Sequence, residues 1–366
     1  MTANKNNIST VQLLFIIIQV QIGVGILWLP HEVALVSKHD GWISVFIGGW
    51  VIQIFVFIFW LLSKRFSSLT FFDILDSLLG KTFGKIIVFF YVVYFVLESS
   101  AIVARYSQII EKWILQITPT WITILLMVVI GVYIARGNLE TIARFFVLVS
   151  PLLIVFFLLI TYALKDAHFL YLLPIGQAGI PVILEGSKET VFSYLGFNMF
   201  LFIYPFVKGT NKQKLKALTA AQLITTLFYT YMVFASIAYF DGSTEMELTK
   251  EPLLVMIKAY SFQIIDRPDL FFLSFWIISV ATTFTFWIYV AATGAAHLFK
   301  KNHNKLLPYV AIVTFLIALF PNEEEALNTF NEYIGLLSYL FSMIIPALLL
   351  VLSLTLRKKE SGVNQS

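Results

Sequence analysis

Two charged residues stand where charge is costly. Glu98 lies in the apolar run Tyr94-Phe95-Val96-Leu97-Glu98-Ser99-Ser100, and Arg105 follows seven residues later. Inside a membrane helix such groups face a bundle interior, a wet cavity or a partner. A carboxyl there can relay protons or hold a structural ion pair. Seven residues place Arg105 on the same face but about 10 Å further along the axis, so direct pairing requires the long side chains to adapt. Glu98 and Arg105 are therefore candidate gating or ion-pathway residues. Glu32, just after Pro30, suits a helix boundary or an outer gate.

A second chemistry resides in the backbone. The segment Gln19-Val20-Gln21-Ile22-Gly23-Val24-Gly25-Ile26-Leu27-Trp28-Leu29-Pro30 sets two glycines and a proline in a run otherwise fit for helix. Glycine lowers helix propensity and admits close backbone approach, and proline removes an amide donor and clashes with the preceding turn. A break in lipid is tolerated only against protein or a wet cavity. Its freed amides favour a carboxylate, and its freed carbonyls can receive an ammonium or a cation. Glycines at this spacing also serve plain helix packing.

The theme returns in Tyr194-Leu195-Gly196-Phe197-Asn198-Met199, followed by Tyr204-Pro205. Asn198 suits either a cavity or a polar contact between helices. Thr282, Thr285 and Tyr289 follow at spacings of three and four and share one helix face. They can line a polar route, or the hydroxyls can bond carbonyls of their own helix.

A membrane bundle must position these groups. Of 366 residues 59% are apolar and 13% charged, against roughly 25% charged in soluble proteins. The expected fold is all-α and polytopic, a single membrane domain over 1–366 with ten transmembrane helices. Their approximate positions are 8–36, 41–62, 83–110, 119–135, 144–164, 189–207, 215–240, 269–299, 306–320 and 333–356. The run from Ile8 is too long for a removable signal peptide and reads as the first span. The fourth and ninth are short, with Pro119 and Pro321 at their ends. Inner connections hold 17 of the 25 Lys and Arg, Lys5 among them, and outer ones hold 7, Arg105 being the last. This bias puts both termini on the cytoplasmic side. The outer face is acidic, with Asp241, Glu245, Glu247 and Glu251 in one connection. Leu253, Leu254, Val255 and Ile257 in that connection suit a short interfacial helix or an ordinary covering loop.

The net charge of +4 is dispersed between apolar runs, which makes nucleic acid a poor partner. Without Cys, and with five scattered His, no thiolate or H-E-x-x-H metal site is expected, nor any cofactor or enzyme activity. Lys208, Lys212, Lys214 and Lys216 form a basic patch suited to anionic membrane lipid or to an acidic subunit. Arg136 and Arg144 fit the orientation, with Glu140 a local partner. Trp28, Trp42, Trp113 and Trp121 lie near helix ends, where tryptophan anchors to the interface.

The glutamine-rich lead into Ile22-Gly23-Val24-Gly25-Ile26-Leu27, with Leu29-Pro30, resembles the opening of the B-subunit family of spore germination receptors, the GerAB/GerKB-like membrane proteins. Length, span number, the charged third helix and the Tyr-Pro ending of the sixth extend the resemblance over essentially the whole chain. That family is similar to the amino acid/polyamine/organocation transporters. The resemblance implies a LeuT-like five-plus-five inverted repeat, 8–164 and 189–356, with broken first and sixth helices. It further implies germination receptor A and C subunits as partners, a spore inner-membrane location, and a nutrient germinant, often a small amino acid. The candidate ligand-binding set is Gly23, Gly25, Ile26, Gly196, Asn198, Thr282 and Thr285. No acidic residue lies within the first break, a departure from sodium-coupled relatives that argues against sodium symport. Ligand sensing, amino-acid transport and ion conduction all fit such a bundle.

Overall fold

The computed structural model describes residues 8–240, 244–260, 266–321 and 323–360. Lys5 and Asp241, counted above for orientation, lie outside the described residues. Helix α1 (Thr10–Gln21) begins at a capping box, with the Ser9 hydroxyl accepting from the Gln12 amide and the Gln12 side chain accepting from the Ser9 amide. After a single turn at Val24–Leu27, α2 (Leu29–Ser37) resumes with Pro30 in its first turn. A missing N–H costs nothing at that position. The glycines thus break the helix, and Pro30 starts the next segment.

The chain continues through α3 (Gly41–Arg65), α4 (Phe71–Leu79), α5 (Lys81–Trp113), α6 (Thr120–Ala135), α7 (Leu139–Val149) and α8 (Leu152–Ala163), the last two kinked at Ser150-Pro151. Next come α9 (Ile180–Ser193), α10 (Phe200–Ile203), α11 (Asn211–Phe240), α12 (Thr244–Leu248) and α13 (Pro252–Lys258). The long α14 (Pro268–Phe299), α15 (His303–Ala318), α16 (Glu324–Ser338) and α17 (Ile345–Thr355) complete the described chain. Six helical runs are long and apolar enough to cross a membrane, and four shorter apolar helices, Thr10–Gln21, Thr120–Ala135, Phe197–Phe206 and His303–Ala318, pack with them.

Two groups of helices form the bundle. In one, α11 packs on α3 and α1, and α3 packs on α9; in the other, α14 packs on α5, α6 and α15. The first contains both broken helices. One of its close seams is α3 against α11, where Gly49 lies so near Thr226 that any Cβ would overlap that side chain. Small residues at such seams let backbones approach and maximise dispersion contacts. Gly49→Val is expected to destabilise the protein by about 1–3 kcal/mol through overpacking, read as a lower thermal midpoint in detergent; an unchanged midpoint would mean that this seam adjusts freely.

Several expected boundaries shift. The sixth, seventh and tenth spans start earlier than expected, at Ile180, Asn211 and Glu324: α11 and α16 open on polar first turns, whereas the apolar start of α9 is cut off from the rest of its span by Glu185, Lys188 and Glu189. The connection read as 62–83 contains α4, which buries Phe71, Phe72, Ile74, Leu75 and Leu78 on one face and is capped by Thr70 with Asp73. His297 Nε2 lies 2.9 Å from Asp76 Oδ2, tying α4 to the end of α14. In the connection after α11, α13 buries Leu253, Leu254, Met256 and Ile257 within the protein, so it is a plug between helix ends and not an interfacial helix. Trp28 is 8% exposed, under Arg105, and is no interfacial anchor; Trp121, half exposed, is free to be one. Lys214 leaves the expected basic patch, since its Nζ donates to the Tyr204 carbonyl at 3.1 Å from a buried position.

Candidate functional site

The two broken segments touch. A Cβ on Gly25 would lie 3.0 Å from the Cα of Ser193, the last residue of α9, and one on Gly196 would lie 3.1 Å from the carbonyl of Val20. Gly196 also has φ +112°, a left-handed conformation that favours glycine. The helices therefore interrupt one another at the only residue type that permits both the approach and the turn.

Each interruption frees carbonyls, and buried side chains take them up. Thr283 donates to the Gln19 carbonyl at 3.0 Å, Ser279 to that of Ile22, and the Trp276 indole N–H to that of Gly23 at 3.2 Å. All three donors come from α14, so the second helix group holds the break of the first. Tyr229 of α11 shares its hydroxyl between the carbonyls of Gln21, at 2.7 Å, and Ser193, at 3.1 Å. It bridges both breaks at once. Gln21 adds a bond from its amide nitrogen to the Tyr194 carbonyl at 3.2 Å and another to Gln222 at 2.9 Å.

Against these donors stand acceptors without partners. Gln21 Oε1, Ser193 Oγ, Asn198 Oδ1 and Thr285 Oγ1 are buried with no hydrogen bond. Buried polar atoms are ordinarily paired. An ammonium or hydroxyl brought among Gln21, Ser193 and the break carbonyls would find oxygen ligands already desolvated and fixed.

The expected ligand set is only partly gathered. Gly23 and Gly25 lie in the break, with Thr283 rather than Thr282 pressed against Gly23. Thr282 bonds Gln19 Oε1 at 3.0 Å and the Ser279 carbonyl at 2.7 Å. Ile26 is fully buried in the core. Asn198 follows the Gly196 turn and is 1% exposed. Tyr289, on the same helix as the two threonines, has its ring 5.1 Å from that of His303 at the start of α15. The sequence reading missed Ser193, Tyr229, Ser279 and Trp276, because each has an ordinary local setting and acquires meaning only through a partner about 35 to 260 residues away.

Glu98 and Arg105 do not pair. Glu98 is 2% exposed, and its Oε2 is buried without a hydrogen bond. Tyr94, one turn before it, bonds Ser338 and Ser342 at 3.1 Å each, around the wide turn Tyr339–Ile344 that interrupts the last helical run. Such wide turns occur often at functional positions. Arg105 points the other way: its guanidinium lies 4.8 Å over the Trp28 ring and donates to Asn328 at 2.9 Å, with Glu32, Glu324 and Glu251 as electrostatic neighbours. Lys112 closes on Glu251 at 2.7 Å and Lys250 on Glu324, so ion pairs join α5 to the start of α13 and that connection to α16. The expected local pair, Arg144 with Glu140, also forms.

Tyr229→Phe leaves two buried carbonyls short of a donor. An unmade buried hydrogen bond costs about 1–3 kcal/mol, so the variant is expected to unfold at lower temperature in detergent while keeping its helix content by circular dichroism. Wild-type stability would mean that the bridge carries no load.

Two adjoining helix breaks held by a second helix group define a multi-pass membrane protein of transporter architecture. The structure is similar to that of MhsT in complex with L-phenylalanine, with a TM-score of 0.71 and 14% identity over 95% of this chain and 89% of that one. It is also similar to Mhp1, a nucleobase-cation-symport-1 family transporter in a closed conformation with bromovinylhydantoin bound, at TM-score 0.66 and 14% identity over 90% and 75% of the two chains. At these identities the likeness is one of fold, which is LeuT-related. The family model described as spore germination protein matches residues 7–327, and the chain belongs to that family. It is 28% identical to spore germination protein YndE of Bacillus subtilis (strain 168), over 96% of this chain and 98% of that protein. It is 26% identical to spore germination protein GerQB of Bacillus cereus, over 94% and 95%. Among the described residues no three His, Asp or Glu side chains gather as a metal site.

Proposed function

We propose that this chain is the germinant-sensing B subunit of a spore germination receptor and binds a small amino acid where the two helix breaks meet. The observation that carries the reading is the contact of Gly25 with Ser193, which sets the unpartnered Ser193 hydroxyl against the first break, while the Gln21 side chain, with its Oε1 also unpartnered, reaches to the Tyr194 carbonyl beside it. A zwitterion suits both ends of such a site: break carbonyls and side-chain oxygens for its ammonium, break amides for its carboxylate. The L-phenylalanine bound to MhsT, a protein of the same fold, supports the ligand class.

Ten spans arranged as five-plus-five repeats, 8–164 and 189–356, fit the two breaks, one near the start of each half. In the described conformation the carbonyls are taken up by Thr283, Ser279, Trp276 and Tyr229. A ligand ammonium would replace some of those donors and favour an arrangement in which the two helix groups sit differently. Signalling needs that difference in affinity, since equal binding to both arrangements transmits nothing. A and C subunits in the spore inner membrane would read the change, with both termini of this chain on the core side. Glu98 and Arg105, about two turns apart on α5, are the gating residues in this scheme.

Amino-acid transport is the second reading, favoured by the likeness to Mhp1, a transporter. The two separate by experiment. Protein purified alone in liposomes is expected to bind a radiolabelled amino acid saturably without accumulating it, and ion release on ligand addition is expected only with A and C subunits present. Concentrative uptake by the protein alone would replace sensing with transport.

A further inference from the structure

Helices α6 and α15 are 16 residues each, about 24 Å of helix against a hydrocarbon thickness of about 30 Å. They lie side by side on the flank of the bundle, away from the breaks. Between them runs a groove of about 380 Å³ that opens outward. Leu125 and Phe315 line one end, Val132 and Ala311 the middle, and Pro308 and Arg136 the other end. From Leu125 to Arg136 the floor spans about 16 Å of helix, close to one leaflet of hydrocarbon. Its wall is apolar until the last turn, where Arg136 and Tyr133 stand exposed. The turn after α14 brings more positive charge to that end: His303 Nε2 is 2.9 Å from the Ala135 carbonyl, next to Arg136, and Lys300, Lys301 and Lys305 flank it, all exposed. Arg136 has no acidic partner among the described residues, whereas Arg144, eight positions on, is paired with Glu140.

We infer that this groove is a binding site for an anionic phospholipid of the inner leaflet, with one acyl chain between α6 and α15 and the phosphate on Arg136. Three features agree: a slot of one leaflet's depth, an unpaired guanidinium at the depth of the headgroups, and further cations around it. Short helices also draw the bilayer surface inward, which brings headgroups within reach of Arg136. A zwitterionic lipid would fill the same slot but gain less from the cluster, since each nearby Lys or Arg adds about 1 kcal/mol for an anionic surface.

Native mass spectrometry on the purified full chain tests this, with phosphatidylglycerol and phosphatidylethanolamine of identical acyl chains. One phosphatidylglycerol is expected to remain bound about tenfold more tightly than phosphatidylethanolamine, whose phosphate is the same but whose ammonium stands against the cation cluster, and Arg136→Gln is expected to shrink that preference and to weaken both lipids by loss of the phosphate contact. Arg136 is exposed, so the variant keeps the packing intact. Ala311→Phe, which fills the slot and keeps the guanidinium, is expected to weaken both lipids alike. Equal retention of the two lipids by the wild type, or unchanged retention and preference in Arg136→Gln, would overturn the site. Displacement by glycerol 1-phosphate at comparable concentration would show a soluble-anion site instead. Photo-crosslinking from position 312 to a partner subunit and not to lipid would show a protein interface and equally overturn it.

Discussion

Gly25→Trp in the purified protein is expected to abolish saturable amino-acid binding, and Gly25→Ala to weaken it about tenfold or more. The reason is geometric. Ser193 presents its Oγ 2.8 Å and its Cα 3.0 Å from where any Cβ at residue 25 must sit; the hydroxyl could swing aside, but the Cα cannot, so even alanine pushes against backbone. Overpacking of this kind costs about 1–3 kcal/mol, and here the whole displacement falls on the surfaces that would enclose the ligand. Circular dichroism and size-exclusion profiles are expected to match wild type for alanine. Scintillation proximity with the radiolabelled ligand is the direct measurement. Wild-type affinity in Gly25→Ala would move the ligand away from the meeting point of the two breaks.

Replacement of Glu98 by methionine is expected to raise thermal stability and to silence the receptor. A buried carboxyl whose Oε2 has no hydrogen bond does not replace the water lost at that oxygen. Exchange of buried ionic groups for apolar ones of similar volume is often neutral or stabilising, by about 1–4 kcal/mol. A residue kept against stability is most simply kept for a task. Its neighbour Tyr94 bonds both sides of the wide turn at Tyr339–Ile344, which places the carboxyl next to a natural hinge. The expected result is a higher thermal midpoint in detergent, retained amino-acid binding, and no ligand-triggered ion release from liposomes carrying all three subunits. A lower midpoint would make Glu98 a structural group. Unchanged release would remove it from the signalling path.

Much of this was legible before any fold was known, because each reading depended on a local physical demand. Composition excluded a water-facing surface, and the Lys and Arg bias gave an orientation, since apolar runs must sit in lipid and basic loops stay inside. Gly23 and Gly25 announced a break for the same reason: two poor helix formers amid isoleucines have a meaning within a single turn. Amphipathic α4 escaped notice because its apolar residues are too few for a span and its charges were already counted to a connection. The starts of α11 and α16 escaped because polar first turns look like loop, and that of α9 because Glu185, Lys188 and Glu189 interrupt its apolar run.

What the sequence determined alone was the class of the protein, its family resemblance and where its helices give way. Tertiary structure decided which groups answer one another across those breaks. Ser279, Trp276 and Thr283 cap carbonyls from about 250 residues away, and Tyr229 joins two interruptions that are about 170 residues apart. Likewise Arg105 turned to Trp28 and Asn328 and left Glu98 alone. The physical reason is range: hydrophobicity and helix propensity act within a few turns, whereas a freed carbonyl in lipid must find a donor wherever the packed bundle brings one.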